Sequence, residues 1–249
     1  MRLQVIGTGS SGNCYALHAG GRILLLDAGL PVRQMIRAIP NWGRVIGCLV
    51  THEHGDHAKS AAHLTQLGIP VYMSKGTDEA IPREDGCLTK FNRLQALSPV
   101  SVGEFTVLAF EAQHDAAEPF GFLVRYNPTG ETLVYATDTY YLKHTFPGVH
   151  YWVVECNYVE ELIDAQTEDG ELSAALRRRL KKSHMSLRRL ADALQANDLS
   201  KTRAIVLVHL SDERSDERAM VKIIREVSGI EEVTAAAAGM EIPLELNPF

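Results

Sequence analysis

Short apolar runs alternate with amphipathic stretches along the chain. Residues 45–50 and 204–208 are apolar runs too short for a helix, which favours buried strands. Residues 58–67 and 187–196 place apolar side chains at helical spacing, and Gly68 ends the first of these helices. Strands that alternate with helices in this way predict an α/β fold.

Acidic and histidine side chains recur where the predicted strands end. Four of them stand just past the last residue of a predicted strand, namely His114, Asp138, Glu155 and His209. In open α/β sheets, the carboxyl ends of the strands form the edge where ligands bind. One such residue would mean little, but together they predict a shared functional site at that edge.

The densest polar cluster is the sequence THEHGDH at residues 51–57, between a predicted strand and a predicted helix. Side chains two residues apart in an extended segment point the same way, so His52 and His54 can face one metal ion. Asp56 and His57, which follow a glycine, can face a neighbouring ion. Imidazole and carboxylate ligands suit zinc, manganese or iron, so we favour a metal site over a polar surface loop.

The composition sets broad limits on the kind of protein. The chain has 249 residues, 45% of them hydrophobic, enough for one large globular domain or two small ones. No apolar run approaches the ~20 residues of a membrane span, and the first residues lack the layout of a signal peptide. The cysteines form no CxxC pair, and we expect Cys48 and Cys156 to be buried thiols in a cytoplasmic protein that does not enter a membrane. A net charge of −6 argues against general nucleic-acid affinity but leaves room for a local basic patch.

The histidine cluster resembles the HxHxDH signature of the metallo-β-lactamase superfamily, and the other motifs of that superfamily follow in order. Asp27 is similar to the acid of the first motif and His114 to the histidine of the third. Asp138 is similar to the acid of the fourth motif and His209 to the last histidine. The resemblance covers essentially the whole chain, so it implies a single domain over residues 1–249. The fold it implies is an α/β, four-layer αββα sandwich of metallo-β-lactamase type.

The same resemblance implies a dinuclear metal centre. One ion would take three histidines, the other an acid and two histidines, and a second acid would bridge them. The three histidines of the first ion would be His52, His54 and His114. The ligands of the second ion would be Asp56, His57 and His209, and the bridging acid would be Asp138. Asp27 would orient the metal-bound histidines. Two divalent ions about 4 Å apart, zinc or manganese with iron also compatible, would share a hydroxide that attacks a phosphodiester, a thioester or an amide.

Comparison with branches of the superfamily narrows this chemistry. Most di-zinc β-lactamases lack a bridging acid such as Asp138, and flavodiiron oxidoreductases carry a glutamate where this chain has His54, so both activities are disfavoured. The sequence SHMS, which contains His184, resembles an HxT/HxS element of the branch that processes the 3′ ends of transfer RNA. In that branch a histidine paired with a glutamate helps to protonate the leaving oxygen. The resemblance therefore implies catalytic roles for His184 and Glu155 beside Asp56, with a surface histidine before a helix cap as the alternative for His184.

A narrower resemblance points to DNA as the substrate. The sequence GTGSSGNC at residues 7–14, together with residues 114–116 and 118–122, looks like the YycJ/WalJ group of bacterial metallo-β-lactamase-fold proteins. That group is associated with 5′-to-3′ DNA exonuclease activity. The resemblance thus implies a DNA partner, with RNA as the alternative, and the sequence leaves the oligomeric state open.

Two groups of side chains are candidates for contacts with a nucleic-acid backbone. Small polar residues of the glycine-rich loop could approach a phosphate, and these are Ser10, Ser11 and Asn13. Basic residues before His184 could neutralise phosphates, although a charge run is most often a solvated helix face. They are Arg177, Arg178, Lys181 and Lys182, with Arg179 among them.

Three other functions stay open from the sequence. The first is a hydrolase of a small, cyclic phosphodiester, which would use the same metal ions and the same His184. The second is a thioesterase, and the third is a metal-binding module without catalysis. The basic residues discriminate the small-phosphodiester hydrolase from a nuclease, because only binding of a long polyanion requires them. The presence of every expected ligand argues against the third.

Overall fold

The computed structural model describes residues 1–82 and 89–244. The chain divides into two compact units. The first unit comprises Met1–Glu111, Ala116–Gly130 and Ala237–Phe249, and the second comprises Ala112–Asp115 and Glu131–Ala236. The assignment of the whole chain to one domain stays a prediction.

The described residues form strands and helices in the following order. The strands are β1 (Arg2–Gly7), β2 (Cys14–Ala19), β3 (Arg22–Leu26), β4 (Val45–Leu49), β5 (Val71–Ser74), β6 (Asn92–Leu94), β7 (Pro99–Val102), β8 (Phe105–Glu111), β9 (Phe120–Tyr126), β10 (Thr132–Ala136), β11 (Tyr151–Glu155), β12 (Ala204–Val208), β13 (Val233–Ala235) and β14 (Glu241–Pro243). The helices are α1 (Val32–Ala38), α2 (Gly55–Ala58), α3 (Ala61–Gln66), α4 (Lys75–Ala80), α5 (Glu160–Glu168), α6 (Ala174–Ser183), α7 (Leu187–Gln195) and α8 (Glu217–Ser228).

The first unit contains a mixed sheet in the order β14-β1-β2-β3-β4-β5-β6. Strands β14 to β3 pair antiparallel, whereas β3 to β6 pair parallel. The apolar side chains of β3 and β4 are buried, and Leu25, Cys48 and Leu64 belong to one core cluster. Burial of this cluster fixes the end of β3, which Asp27 follows, and the end of β4, which is followed by residues 51–57, the histidine loop. The same unit holds the antiparallel strands β7, β8 and β9.

The second unit is built on the parallel strands β10, β11, β12 and β13. Every residue of β11 and β12 is buried, as expected for parallel strands covered on both faces. Because parallel strands end at the same edge, this arrangement places the residues after β10, β11 and β12 side by side. The Ser186 hydroxyl accepts a hydrogen bond from the Arg189 N–H at 3.2 Å and caps α7.

Most of the predicted strands are confirmed, but the helix predicted over residues 58–67 begins earlier and is interrupted. It forms as α2 and α3 with a break at Lys59 and Ser60. The Ser60 hydroxyl donates to the Leu30 carbonyl at 2.7 Å, and the Ser60 N–H donates to the Ala28 carbonyl at 2.9 Å. These bonds hold the break against the segment after β3, a contact that helical spacing cannot reveal.

The chain also forms α5, which the sequence pattern did not predict. Its surface is almost entirely polar, and only Ile163 among its residues is buried. Ile163 packs with Tyr158 and Leu172 in a small separate cluster.

The thiols of Cys48 and Cys156 are buried and free, as predicted, whereas Cys87 lies outside the described residues. Burial raises the pKa of both thiols well above its usual value. Among the described helices, none combines the length and apolar character needed to cross a lipid bilayer.

Candidate metal centre

In the first unit, residues 51–57, which run from the loop after β4 into α2, bring ring nitrogens close together. The Nε2 atom of His52 lies 3.0 Å from the Nδ1 atom of His54. The Nε2 atom of His57 lies 3.5 Å from Oδ2 of Asp56. The side chains of His52 and His57 are fully buried, whereas that of Asp56 is 25% exposed. The sequence spacing therefore places two pairs of groups that are able to bind metal within residues 51–57.

The carboxylate of Asp27 fixes the orientation of one of these rings, that of His57. This carboxylate is fully buried at the end of β3, and Oδ2 accepts a hydrogen bond from Nδ1 of His57 at 2.8 Å. Oδ1 accepts the Thr51 N–H at 2.8 Å, and the Thr51 hydroxyl lies 3.0 Å from Nδ1 of His52. Thr51, which the sequence did not single out, thus connects Asp27 to both rings. A carboxylate on the far nitrogen of an imidazole is the usual way that proteins orient a histidine metal ligand.

The glycine-rich loop contributes Asn13 to the same cluster. Its carboxamide is fully buried, accepts the Gly9 N–H at 2.9 Å and donates to the Gly9 carbonyl at 3.1 Å. Its Nδ2 atom also lies 3.1 Å from Nε2 of His57. Ser10 and Ser11, in contrast, are exposed. The structure therefore places the two serines at the surface and Asn13 against the histidine loop.

Backbone contacts hold three segments of the first unit together at this point. The Asn13 N–H donates to the Asp56 carbonyl at 2.7 Å, and the Gly29 N–H donates to the Asn13 carbonyl at 2.9 Å. A Cβ atom built on Gly29 would stand 1.7 Å from the Asp56 carbonyl oxygen. No side chain fits there, so glycine allows the Asp56 backbone to approach the segment after β3.

We expect Gly29→Ala to displace the backbone of Asp56 and to lower the free energy of unfolding by about 3 kcal/mol, the upper end for overpacking a tight site. Urea unfolding measures this loss. Gly43→Ala is the matched control, because a Cβ at Gly43 meets no neighbour within 4 Å. Equal effects of the two substitutions would contradict the packing explanation.

In the second unit, the ends of the parallel strands converge as the sequence predicted. Ligand atoms of Asp138, Glu155, His184 and His209 all lie within 4.8 Å of one another. Glu155 is the last residue of β11 rather than the first residue beyond it. Oε1 of Glu155 accepts hydrogen bonds from Nδ1 of His184 at 2.7 Å and from Nδ1 of His209 at 2.9 Å. The pairing of His184 with Glu155 implied by the family resemblance is therefore present as a direct contact.

His114 is oriented by a backbone group. Its Nδ1 donates to the Ser183 carbonyl at 2.7 Å, and its Nε2 lies 3.5 Å from Oδ2 of Asp138. Donation to a carbonyl fixes the proton on Nδ1 and turns the Nε2 lone pair towards Asp138. The residue before His184 thus holds His114, a contact that residue types alone do not indicate.

Three of the strand-end residues adopt left-handed backbone. The φ angles are 60° for Asp27, 49° for Asp138 and 54° for His209. Left-handed conformations are unfavourable for residues with a Cβ, although aspartate and histidine tolerate them better than most. Such strain clusters at functional sites.

Burial and charge shift the acid–base equilibria of this cluster. Burial raises the pKa of the Glu155 carboxyl, but the charge and hydrogen bonds of His184 and His209 outweigh it, so the pKa lies below its usual value. Burial lowers the pKa of His184, but Glu155 outweighs it and raises the pKa above its usual value. Burial lowers the pKa of His114 despite the nearby Asp138. The two directions favour the carboxylate–imidazolium form of the Glu155–His184 pair, whereas burial favours the neutral form of His114.

The donor chemistry in each unit fits divalent metal ions. The Nδ1 atoms of His57, His114 and His209 each contact a carboxylate or a carbonyl oxygen, so Nε2 is the atom of each ring that could bind a metal ion. Neutral imidazole nitrogens beside carboxylate oxygens are the donors that zinc, manganese and iron accept.

A basic groove of about 660 Å³ adjoins His114 in the second unit. Its cationic lining consists of Arg179, Lys181, Lys182 and Arg189. Among the other predicted basic residues, Arg177 pairs with Asp164 on α5, whereas Arg178 is exposed on α6. Lys181 also lies near Asp164, at 3.6 Å, so part of its charge is compensated.

Comparison with known proteins gives consistent matches. A family model described as a beta-lactamase superfamily domain matches residues 22–210. Exodeoxyribonuclease YycJ of Bacillus anthracis is 29% identical over 90% of this chain and 88% of its own length. Exodeoxyribonuclease WalJ of Streptococcus pneumoniae (serotype 2, strain D39) is 23% identical over 98% of this chain and 93% of its own length.

A solved structure shows the same fold. The metallo-beta-lactamase fold protein YhfI from Bacillus subtilis superposes with a TM-score of 0.73 at 17% identity, covering 96% of this chain and 98% of that protein. The fold class predicted from the sequence, an α/β sandwich of metallo-β-lactamase type, is thereby confirmed.

Proposed function

We propose that this chain, which belongs to the beta-lactamase superfamily and is a hydrolase, is a two-metal phosphodiesterase that degrades DNA as a 5′-to-3′ exonuclease. The observation that carries this proposal is the basic groove beside His114. A groove with four cationic side chains suits a polyanionic strand, and the net charge of the chain is −6, so this is a local concentration of positive charge. The matches to proteins named exodeoxyribonuclease over nearly the whole chain support the choice of DNA. A cytoplasmic location stays a prediction, and RNA stays the alternative substrate.

The proposed metal ligands are those implied by the family resemblance. They are His52, His54 and His114 for one ion, Asp56, His57 and His209 for the other, and Asp138 between them. Bound zinc, manganese or iron would supply charge neutralisation and activation of water for attack on phosphorus. Contacts within the protein would hold two of these imidazoles in the ligating form, through Asp27 for His57 and through the Ser183 carbonyl for His114.

His184 is proposed to protonate the leaving oxygen. Glu155 holds Nδ1 of His184 at 2.7 Å, so the ring presents Nε2 as its second proton-donating atom. The His184 side chain is 19% exposed, whereas those of His114, Asp138 and His209 are 3–4% exposed, which suits a group that meets substrate. Asn13 is assigned a positioning role towards His57, because its carboxamide is buried and hydrogen-bonded within the protein. Ser10 and Ser11 are retained as candidates for phosphate contact.

End-labelled linear duplex DNA, incubated with each metal in turn beside bis-p-nitrophenyl phosphate, tests this function. Stepwise shortening from the 5′ end of a strand labelled at its 3′ end, abolished by a chelator and restored by added metal, is the expected result. Cleavage of the small ester with DNA untouched would favour a small-phosphodiester hydrolase. Hydrolysis of neither substrate by the metal-loaded protein would refute the proposal and direct attention to thioesters or to a binding role.

A second, quantitative prediction concerns the basic groove. We expect Arg179→Gln/Lys182→Gln to raise KM for DNA about tenfold and to flatten its salt dependence, since each phosphate contact contributes about 0.7–0.9 to the log–log slope. Hydrolysis of bis-p-nitrophenyl phosphate should fall far less, because this ester has no polyanionic backbone. Arg33→Gln/Arg37→Gln is the matched control, with the same loss of charge from exposed positions on α1. Equal salt slopes for the two double variants would contradict a role for the groove.

A further inference from the structure

A second cavity shares Arg189 with the basic groove but has a different character. It encloses about 440 Å³ between residues 141–145 and α7 of the second unit. Its walls include Tyr141, Leu142, Ala193 and Ala196, with Asp192 among the lining residues. We call this cavity the Tyr141 cleft.

Hydrogen bonds fix both sides of the Tyr141 cleft. Arg189 donates from Nη1 to the Lys181 carbonyl at 2.6 Å and to the Tyr140 carbonyl at 3.3 Å, and its guanidinium carbon lies 5.3 Å from the centre of the Tyr140 ring. The Thr139 hydroxyl donates to the Tyr141 carbonyl at 2.9 Å. At the other end, Oδ1 of Asn197 accepts the Phe146 N–H at 2.6 Å. The cleft is therefore held open by contacts within the protein.

The lining of the cleft offers an aromatic and apolar surface that suits a flat ring. Leu142, Ala193 and Ala196 offer apolar surface, and the Tyr141 side chain is 55% exposed although it is a large aromatic group. An exposed aromatic ring beside apolar walls is a stacking platform. The charged residues of the lining, Lys143, Arg189 and Asp192, carry both signs, and the Asp192 carboxylate can accept hydrogen bonds from the amino and imino groups that nucleobases carry.

Together, the two adjoining cavities match the chemistry of a single nucleic-acid strand. Such a strand carries a phosphate and a planar base on every nucleotide, so a binding protein needs a cationic track beside an aromatic surface. The basic groove provides the track, the Tyr141 cleft provides the surface, and Arg189 lines both.

We propose that the Tyr141 cleft is a nucleobase-binding subsite that holds the base of a nucleotide whose neighbouring phosphate lies in the basic groove. This inference rests on the proposed nuclease function and adds that the enzyme engages the strand as an unpaired single strand at this point. A base stacked on an aromatic side chain is typically worth about tenfold or more in affinity.

Short single-stranded oligonucleotides with one abasic position, moved stepwise from the 5′ end, test the subsite. For wild-type enzyme we expect KM to rise about tenfold at one position and to change little elsewhere. Tyr141→Ala and Ala193→Leu, which remove the ring and fill the cleft, should each remove this position dependence. Tyr141→Phe keeps the ring and should retain it, and thermal melting confirms that each variant is folded.

The possible outcomes separate this inference from the proposed function. If the wild-type enzyme cleaves the oligonucleotides with the same KM at every abasic position, the subsite is refuted while the proposed nuclease function stands. A position dependence that survives both Tyr141→Ala and Ala193→Leu would overturn the subsite as well. If the metal-loaded enzyme cleaves none of the oligonucleotides and no duplex DNA, the proposed function fails, and the subsite fails with it.

Discussion

Asp56→Asn is expected to abolish measurable DNA cleavage and to lower the affinity for metal by more than about a hundredfold. Loss of an outer contact to a metal ligand typically reduces metal affinity by about 10–100-fold, and removal of a charged ligand should exceed this. The carboxylate of Asp56 lies 3.5 Å from Nε2 of His57, so the two groups face the same position. Asparagine keeps the shape of the side chain while removing the negative charge that would balance a divalent cation. Metal content by mass spectrometry and cleavage of end-labelled DNA measure the two effects.

Glu53→Gln is the matched control for Asp56→Asn, because it removes the same charge from the same loop. Oε1 of Glu53 accepts the Ala117 N–H at 2.7 Å, and the carbonyl oxygen of glutamine can accept the same bond. We expect this variant to retain metal and activity. If it loses as much metal as Asp56→Asn, the net charge of the loop matters rather than ligation by Asp56. Full activity of Asp56→Asn would remove Asp56 from the proposed ligands.

His184→Ala is expected to lower kcat for DNA by about 10²–10⁴-fold while leaving metal content unchanged. The DNA leaving group departs as a basic alkoxide unless it receives a proton, and His184 is the proposed donor. Bis-p-nitrophenyl phosphate releases a stable phenolate, so its hydrolysis should depend much less on His184. The ratio of the two rate losses therefore reports proton donation more directly than either rate alone.

The structure also defines the result that would contradict this role. Because His184 has a ligand atom within 4.8 Å of those of Asp138, Glu155 and His209, it could itself hold a metal ion. Loss of metal on His184→Ala would make it a ligand rather than a proton donor. His63→Ala, which alters an exposed histidine on α3, controls for general loss of an imidazole.

The parts of the site that could be predicted from the sequence are those that follow apolar runs recognisable as buried strands. Asp138 and His209 follow apolar runs whose burial is easily recognised, and parallel strands then bring their ends together. The pair His184 and Glu155 was implied only by the family resemblance, since 29 residues separate them. The position of Glu155 at the end of an apolar run placed it at the predicted site, but nothing in the spacing paired it with His184.

The parts that could not be predicted depend on contacts between distant segments. The sequence gives no sign that Asn13 turns inward to the histidine loop, because 43 residues separate it from Asp56. The basic residues of α6 looked equivalent in sequence, yet Arg177 is paired with Asp164, while Arg179 and Lys182 line the groove. Arg177 is paired because α5 carries Asp164. Helix α5 could not be predicted from hydrophobic periodicity, because its surface is almost entirely polar.

The left-handed backbone at Asp27, Asp138 and His209 has a consequence for how such a sequence can change over time. Each strained position costs about 1–3 kcal/mol, and glycine would relieve much of that cost. Selection for thermal stability alone would therefore favour glycine at Asp138 and His209, which are proposed metal ligands, and at Asp27, which orients His57. Aspartate and histidine persist at these positions only while selection for the chemistry of the site continues. A relative with glycine at all three positions would therefore have lost that chemistry.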